Sequence, residues 1–167
     1  MNNQLINDLI DILEKELKIY EDILEISKNK TDIIVKGKVK ELENITELEQ
    51  SFIAQIGKLE AAREDLVDKI CSDIGKDSSK NITVTELMGY IEASQAERLN
   101  SYKENMVSLL KEIKDKNDLN AKLIKSSIDY IDFSINIMSN VSVEGNNYSG
   151  KAQINDSEKK TYFDVKL

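Results

Sequence analysis

The sequence predicts an all-α protein, an elongated antiparallel bundle of about three long amphipathic helices followed by an extended C-terminal tail. Apolar residues recur every three or four positions over long stretches, as they do on one face of a helix. The chain has no Pro and no Trp, and only 5% of its residues are aromatic. Its core must therefore be mainly aliphatic, which suits Leu, Ile and Val packed along helices.

The first helix is predicted at about residues 4–27. Its main stripe consists of Ile6, Leu9, Leu13, Leu17, Tyr20 and Leu24. Additional isoleucines widen this stripe, so we expect the helix to contact more than one neighbour. The polar residues 29–32 predict a break in the helix, with Thr31 as the N-cap of the next one.

The second helix is predicted at about residues 32–74, where the same spacing continues from Val39 to Ile70. Gly37 and Gly57 each cost a helix up to ~1 kcal/mol relative to Ala, so we expect fraying, bending or close packing there. Residues 75–81 have the Gly, Ser and Asn content of a loop.

The third helix is predicted from Val84 to about residue 139. Thr83 and Glu86 match a capping box, which marks the clearest helix start in the chain. Residues 114–118 are wholly polar and form either a turn or an exposed stretch of one helix. No Gly or Pro lies between Gly89 and Gly145, which favours one continuous helix of roughly 80 Å.

Residues 1–140 are thus predicted to form the bundle and residues 141–167 the tail. The tail mixes Gly, Ser, Asn and balanced charges without an amphipathic period, which is typical of a flexible segment. Its last residues include Tyr162 and Phe163. This apolar tip either docks on a partner or packs back on the bundle.

Charge and apolar content limit the partners and the location. The net charge of −8 and the pI of about 4.8 disfavour nucleic acid and anionic lipid, because both are negatively charged. The N-terminus lacks the basic start of a signal peptide, and no apolar run approaches the roughly 18 residues of a membrane span. We therefore expect a cytoplasmic protein without membrane insertion. The single cysteine, Cys71, is expected to be a buried apolar residue.

The residues needed for common catalytic sites are missing. The chain has no His, so the usual general base and the commonest metal ligand are absent. Gly145 to Lys151 matches the first part of a phosphate-binding loop, but Ala152 stands where a magnesium-binding hydroxyl is required. We expect no enzyme activity, no catalytic residue, no cofactor and no metal.

Short patterns follow one another along nearly the whole chain. They are Leu13-Glu14-x-Glu16 with Tyr20 and Leu24, Lys30, Val35-x-Gly37-x-Val39 with Leu42, Glu49-Gln50, Leu59-Glu60-x-x-Arg63, Asn117-x-x-Asn120-x-x-Leu123-Ile124, Ser127-Ile128, Tyr130-Ile131, Tyr148, Gly150 and Phe163-Asp164. In this order and spacing they resemble the FlgN family of flagellar export chaperones. The resemblance implies a cytoplasmic, non-enzymatic protein that binds hook-associated subunits, prevents their premature assembly and delivers them to the flagellar type III export apparatus.

Long amphipathic helices agree with this role, because they can cover the apolar stripe of an unassembled helical segment. The predicted binding residues are Leu123, Ile124, Ile128, Ile131, Ile135, Met138, Tyr148, Tyr162 and Phe163. The alternative function is a structural coiled-coil adaptor or scaffold without a secreted partner. A homodimer is compatible with either function.

Overall fold

The computed structural model describes residues 3–76 and 82–144, with side chains through Ser139. The elements in these ranges are α1 (Asn3–Val35), α2 (Val39–Asp73), α3 (Val84–Leu87), a 3-10 turn (Met88–Tyr90) and α4 (Ala93–Glu144). None of the residues in these ranges is in a β-strand. The all-α prediction is confirmed. The chain divides into two compact units after Ile128.

Helices α1 and α2 form an antiparallel pair. The turn between them contains Gly37, whose φ of +65° lies in the left-handed region that favours glycine. Close to this turn, the Lys30 ammonium bonds both carboxylate oxygens of Glu49, at 3.0 and 2.7 Å. Farther along the pair, Arg63 lies 4.0 Å from Glu16. The two contacts are separated by 14 residues on each helix, as a constant antiparallel register requires.

The predicted break at residues 29–32 is wrong, because α1 continues to Val35. Thr31 is not an N-cap. Its hydroxyl donates to the Asn120 side-chain oxygen at 2.7 Å, and the Asn120 amide donates to the Ser27 carbonyl at 2.9 Å. These polar side chains are satisfied between helices, so they do not terminate their own helix. The turn forms at Gly37 instead, and α2 begins at Val39, later than predicted.

The third predicted segment contains a break that the sequence analysis missed. The capping box is present: Glu86 N donates to the Thr83 hydroxyl at 3.2 Å, and Thr83 N donates to the Glu86 carboxylate at 3.1 Å. However, α3 ends at Leu87, and Ile91 is extended before α4 starts. The short turn lets Leu87 be buried in the core. The polar residues 114–118 lie within α4, so the preference for helical continuity there is confirmed.

The main core cluster lies where α1 begins and α2 ends. Its buried members are Ile6, Leu9, Ile10, Leu66, Ile70, Leu87 and Leu99, drawn from α1, α2, α3 and α4. Each fully buried Leu or Ile contributes about 1.5–3 kcal/mol relative to exposure. Cys71 is buried next to this cluster, as expected.

Helix α4 runs parallel to α1 within the first unit. The Gln95 amide donates to the Asn7 side-chain oxygen at 3.2 Å near the start of both helices. Asn120 contacts Ser27 and Thr31 farther along. Because α1 contacts both α2 and α4, it requires the wide apolar stripe that its isoleucines provide.

Candidate partner-binding surface

The predicted stripe on α4 begins in the first unit. Leu123 and Ile124 are half-buried there, whereas Ile128, the last residue of the unit, is exposed. The two half-buried residues therefore offer less apolar surface to a partner than the sequence analysis expected. Tyr148, Tyr162 and Phe163, also predicted to bind, lie outside the described residues.

In the second unit, the predicted residues are accessible. Ile131, Ile135 and Met138 follow one another at steps of four and three along α4, which places them within about 60° on one face of the helix. All three are exposed. We call this set the first stripe.

The same segment carries a second stripe that the sequence analysis did not assign to the site. Tyr130, Phe133 and Ile137 are also exposed and also lie within about 60° of one another. The side chains of the two stripes are between 46% and 73% exposed. The sequence shows this second stripe, since its three residues recur at steps of three and four. The predicted site included only one apolar face of α4, so it omitted the second stripe.

The polar residues of this segment leave the two stripes accessible on one continuous arc. Ser134 lies between the stripes, and its hydroxyl donates to the Tyr130 carbonyl of the same helix at 2.9 Å. It can therefore be covered without losing a hydrogen bond. Asp129, Asp132 and Asn136 occupy the other side of the helix and are exposed. The segment therefore presents two exposed apolar stripes and a polar side.

Candidate metal-binding groups and membrane-spanning helices are both absent from the residues that the structure describes. In the parts of the chain that the structure describes, no three His, Cys, Asp or Glu side chains are grouped so that they could hold a metal ion. Among the same residues, no helix combines the length and apolar character that a membrane crossing requires.

The family of this chain follows from its similarity to known proteins. The model of the family described as FlgN protein matches residues 1–156. The chain belongs to the FlgN family. This is a family of flagellar chaperones that bind flagellar subunits in general. The Bacillus subtilis (strain 168) protein described as uncharacterized protein YvyG is 30% identical over 161 residues, which cover 95% of this chain and 96% of that protein. No solved structure matches.

Four of the residues that carry the FlgN resemblance in the first two helices, Lys30, Glu49, Glu60 and Arg63, make ionic contacts with other side chains. Lys30 pairs with Glu49, as described above. Arg63 donates from Nε to the Glu60 carboxylate at 2.9 Å and lies beside the buried Glu16. The Lys30–Glu49 and Arg63–Glu16 contacts therefore hold α1 against α2, whereas Val35 and Val39 of the same set of patterns are exposed.

The electrostatics of this contact reflect burial. Burial raises the pKa of the Glu16 carboxyl, while the positive charge of Arg63 partly opposes the shift. Burial also raises the pKa of the Tyr20 hydroxyl, with the negative charge of Glu16 as a second cause. The hydrogen bond from Arg63 lowers the pKa of Glu60. The Leu13-Glu14-x-Glu16 pattern thus places the Glu16 carboxyl in a poorly solvated position between α1 and α2.

Proposed function

We propose that this protein is a cytoplasmic type III export chaperone for hook-associated flagellar subunits. It binds a subunit before secretion, prevents premature assembly and delivers it to the flagellar export apparatus. Family membership supports the general role. The observation that carries the proposal is the exposure of large apolar side chains on the described part of the second unit, residues 129–139.

The physical basis is the mutual covering of apolar surface. A terminal subunit segment that forms a helix only on assembly exposes an apolar stripe beforehand, and such a stripe binds well in a groove or on a face of matching helices. Burial of the exposed apolar side chains of residues 129–139 would contribute most of the affinity, because a few large apolar anchors usually dominate an interface. Chemistry is not required, and we propose that the protein has no enzyme activity.

A structural adaptor is the second candidate function. The steps of four and three in the first stripe, Ile131, Ile135 and Met138, also suit a coiled-coil seam. In that case the stripe would pair permanently with another helix, including one of a second copy. The two functions differ in whether a secreted subunit competes for this surface.

Calorimetric titration with the purified hook-associated subunit of the same organism separates these functions. We expect wild type to bind and the double variant Ile131→Ala/Ile135→Ala to bind at least about tenfold more weakly, because two apolar anchors are lost. Ile53→Ala is the matched control, since Ile53 is an exposed isoleucine on α2. Its affinity should equal that of wild type. Absence of binding by wild type would contradict the proposal.

The tail is tested by a truncation after Glu144, the last residue of α4. If Tyr148, Tyr162 and Phe163 contact partners, the melting temperature should stay unchanged while binding to the subunit or the export apparatus weakens. If the apolar tip packs on the bundle, the truncation should lower the melting temperature by several degrees, as losing ~1–2 kcal/mol of burial would.

A further inference from the structure

We propose that the flagellar subunit contacts residues 129–139 through two separate amphipathic helices, one on each stripe. This inference rests on the proposed function, because it describes how the same partner is held. It goes beyond that function by specifying that a single helical segment is not sufficient.

The apolar arc of residues 129–139 is wider than one helix covers. The centres of the two stripes lie roughly 130° apart around the helix, and the arc from Phe133 to Ile135 spans roughly 200° at 3.6 residues per turn. One packed helix covers a stripe of roughly 100°. A single partner helix would therefore leave one stripe largely in water, although both consist of large apolar side chains.

The apolar arc can be covered completely. Ser134 is the residue between the stripes, and its hydroxyl already bonds the Tyr130 carbonyl. Two helices that meet above this small side chain would bury no unsatisfied hydroxyl. A larger or unpaired polar side chain at this position would keep the helices apart.

The charges beside the two stripes indicate which partner binds there. Asp129 lies four residues before Phe133, and Asp132 lies three residues before Ile135, so each stripe has an aspartate beside it. A second copy would bring the same aspartates, and a net charge of −8, to the interface. Like charges disfavour that pairing. The charges fit a subunit whose two helices carry Lys or Arg beside their apolar stripes.

Photo-crosslinking of the full-length chain tests the inference directly. p-Benzoylphenylalanine is placed at Phe133 for the second stripe, or at Ile135 for the first, and the complex with the purified subunit is irradiated. Mass spectrometry then identifies the crosslinked subunit peptides. We expect two different segments of the subunit, one from each position. The control position is Asn136, on the polar side, which should give little crosslinking.

Affinity supplies an independent measurement. Tyr130→Ala/Phe133→Ala should weaken subunit binding by at least about tenfold, as Ile131→Ala/Ile135→Ala should. Asn136→Ala should leave it unchanged. Circular dichroism of every variant should match wild type, because the altered side chains are exposed.

The contrary outcomes are distinguishable. If both positions crosslink to the same subunit segment, or only one double variant loses affinity, a single helix is bound and the inference is overturned while the proposed function stands. Crosslinks between two copies of this chain would also overturn it. If wild type does not bind the subunit, both the inference and the proposed function fail.

Discussion

Replacement of Glu16 by Gln tests the cost of the buried charge between α1 and α2. Glu16 is only 6% exposed. Its Oε1 atom has no hydrogen-bond donor, and the Arg63 Nε lies 4.0 Å away. Arg63 already bonds Glu60, so it keeps a partner in the variant. Gln has the shape of Glu without the charge, and its amide supplies a donor.

The direction of the expected change in unfolding free energy follows from the pKa of Glu16. Burial raises the pKa of Glu16 in the folded protein above the value of about 4.3 in an unfolded chain. Stabilisation by the protonated carboxyl is therefore complete below the unfolded pKa and is lost as the pH rises through the folded pKa. A buried charge carries a desolvation cost of about several kcal/mol, and Gln removes this charge although its side-chain oxygen remains an acceptor. Because the attraction to Arg63 offsets part of this cost, we expect Gln to raise the free energy of unfolding by about 1 kcal/mol at pH 7.

Urea unfolding of wild type and Glu16→Gln at pH 7 and near pH 4 provides the assay. The difference in unfolding free energy should be present at pH 7 and should shrink at the lower pH, where wild-type Glu16 becomes protonated. Glu14→Gln is the control, because Glu14 is exposed on the same helix. A loss of stability in Glu16→Gln at pH 7 would refute the reasoning, since it would show that attraction to Arg63 exceeds the cost of burial.

Three further changes are expected to lower the free energy of unfolding, measured by urea titration at pH 7. Asn120→Ala should cost about 1–3 kcal/mol, because Thr31 and Ser27 lose their hydrogen bonds to α4; an unchanged midpoint would contradict this. Ile10→Ala should cost about 2–5 kcal/mol through a core cavity, whereas the exposed Ile53→Ala should stay within about 0.5 kcal/mol; similar losses in both would refute the core assignment. Thr83→Ala should cost about 1 kcal/mol by removing the N-cap, and a neutral result would show that the capping box contributes little.

Several structural features could be predicted from residues that lie close together in the sequence. The three-or-four spacing without Pro predicts long helices, and the structure has them. The Thr83 capping box was correctly identified because both of its hydrogen bonds join residues three positions apart. The ordered patterns along the chain indicated the FlgN family, which the family match confirms.

Other features depended on neighbours distant in sequence. The polar residues near Thr31 read as a helix break, yet the hydroxyl of Thr31 is satisfied by Asn120, so α1 continues. The turn after Leu87 was not predicted, and Leu87 is buried in the core together with residues of α1, α2 and α4. A local pattern cannot include a hydrogen bond to a residue 89 positions away, as between Thr31 and Asn120, or the packing of a side chain against other helices.

The sequence by itself determined the all-α class, the capping box and the family, because these depend on the order and spacing of nearby residues. Only the tertiary structure decided which apolar stripes are core and which are exposed. Ile6 and Ile10 have the same four-residue spacing as Ile131 and Ile135, yet the first pair is buried and the second is not. Periodicity shows that apolar residues share a face of a helix, whereas burial depends on whether other helices pack against that face.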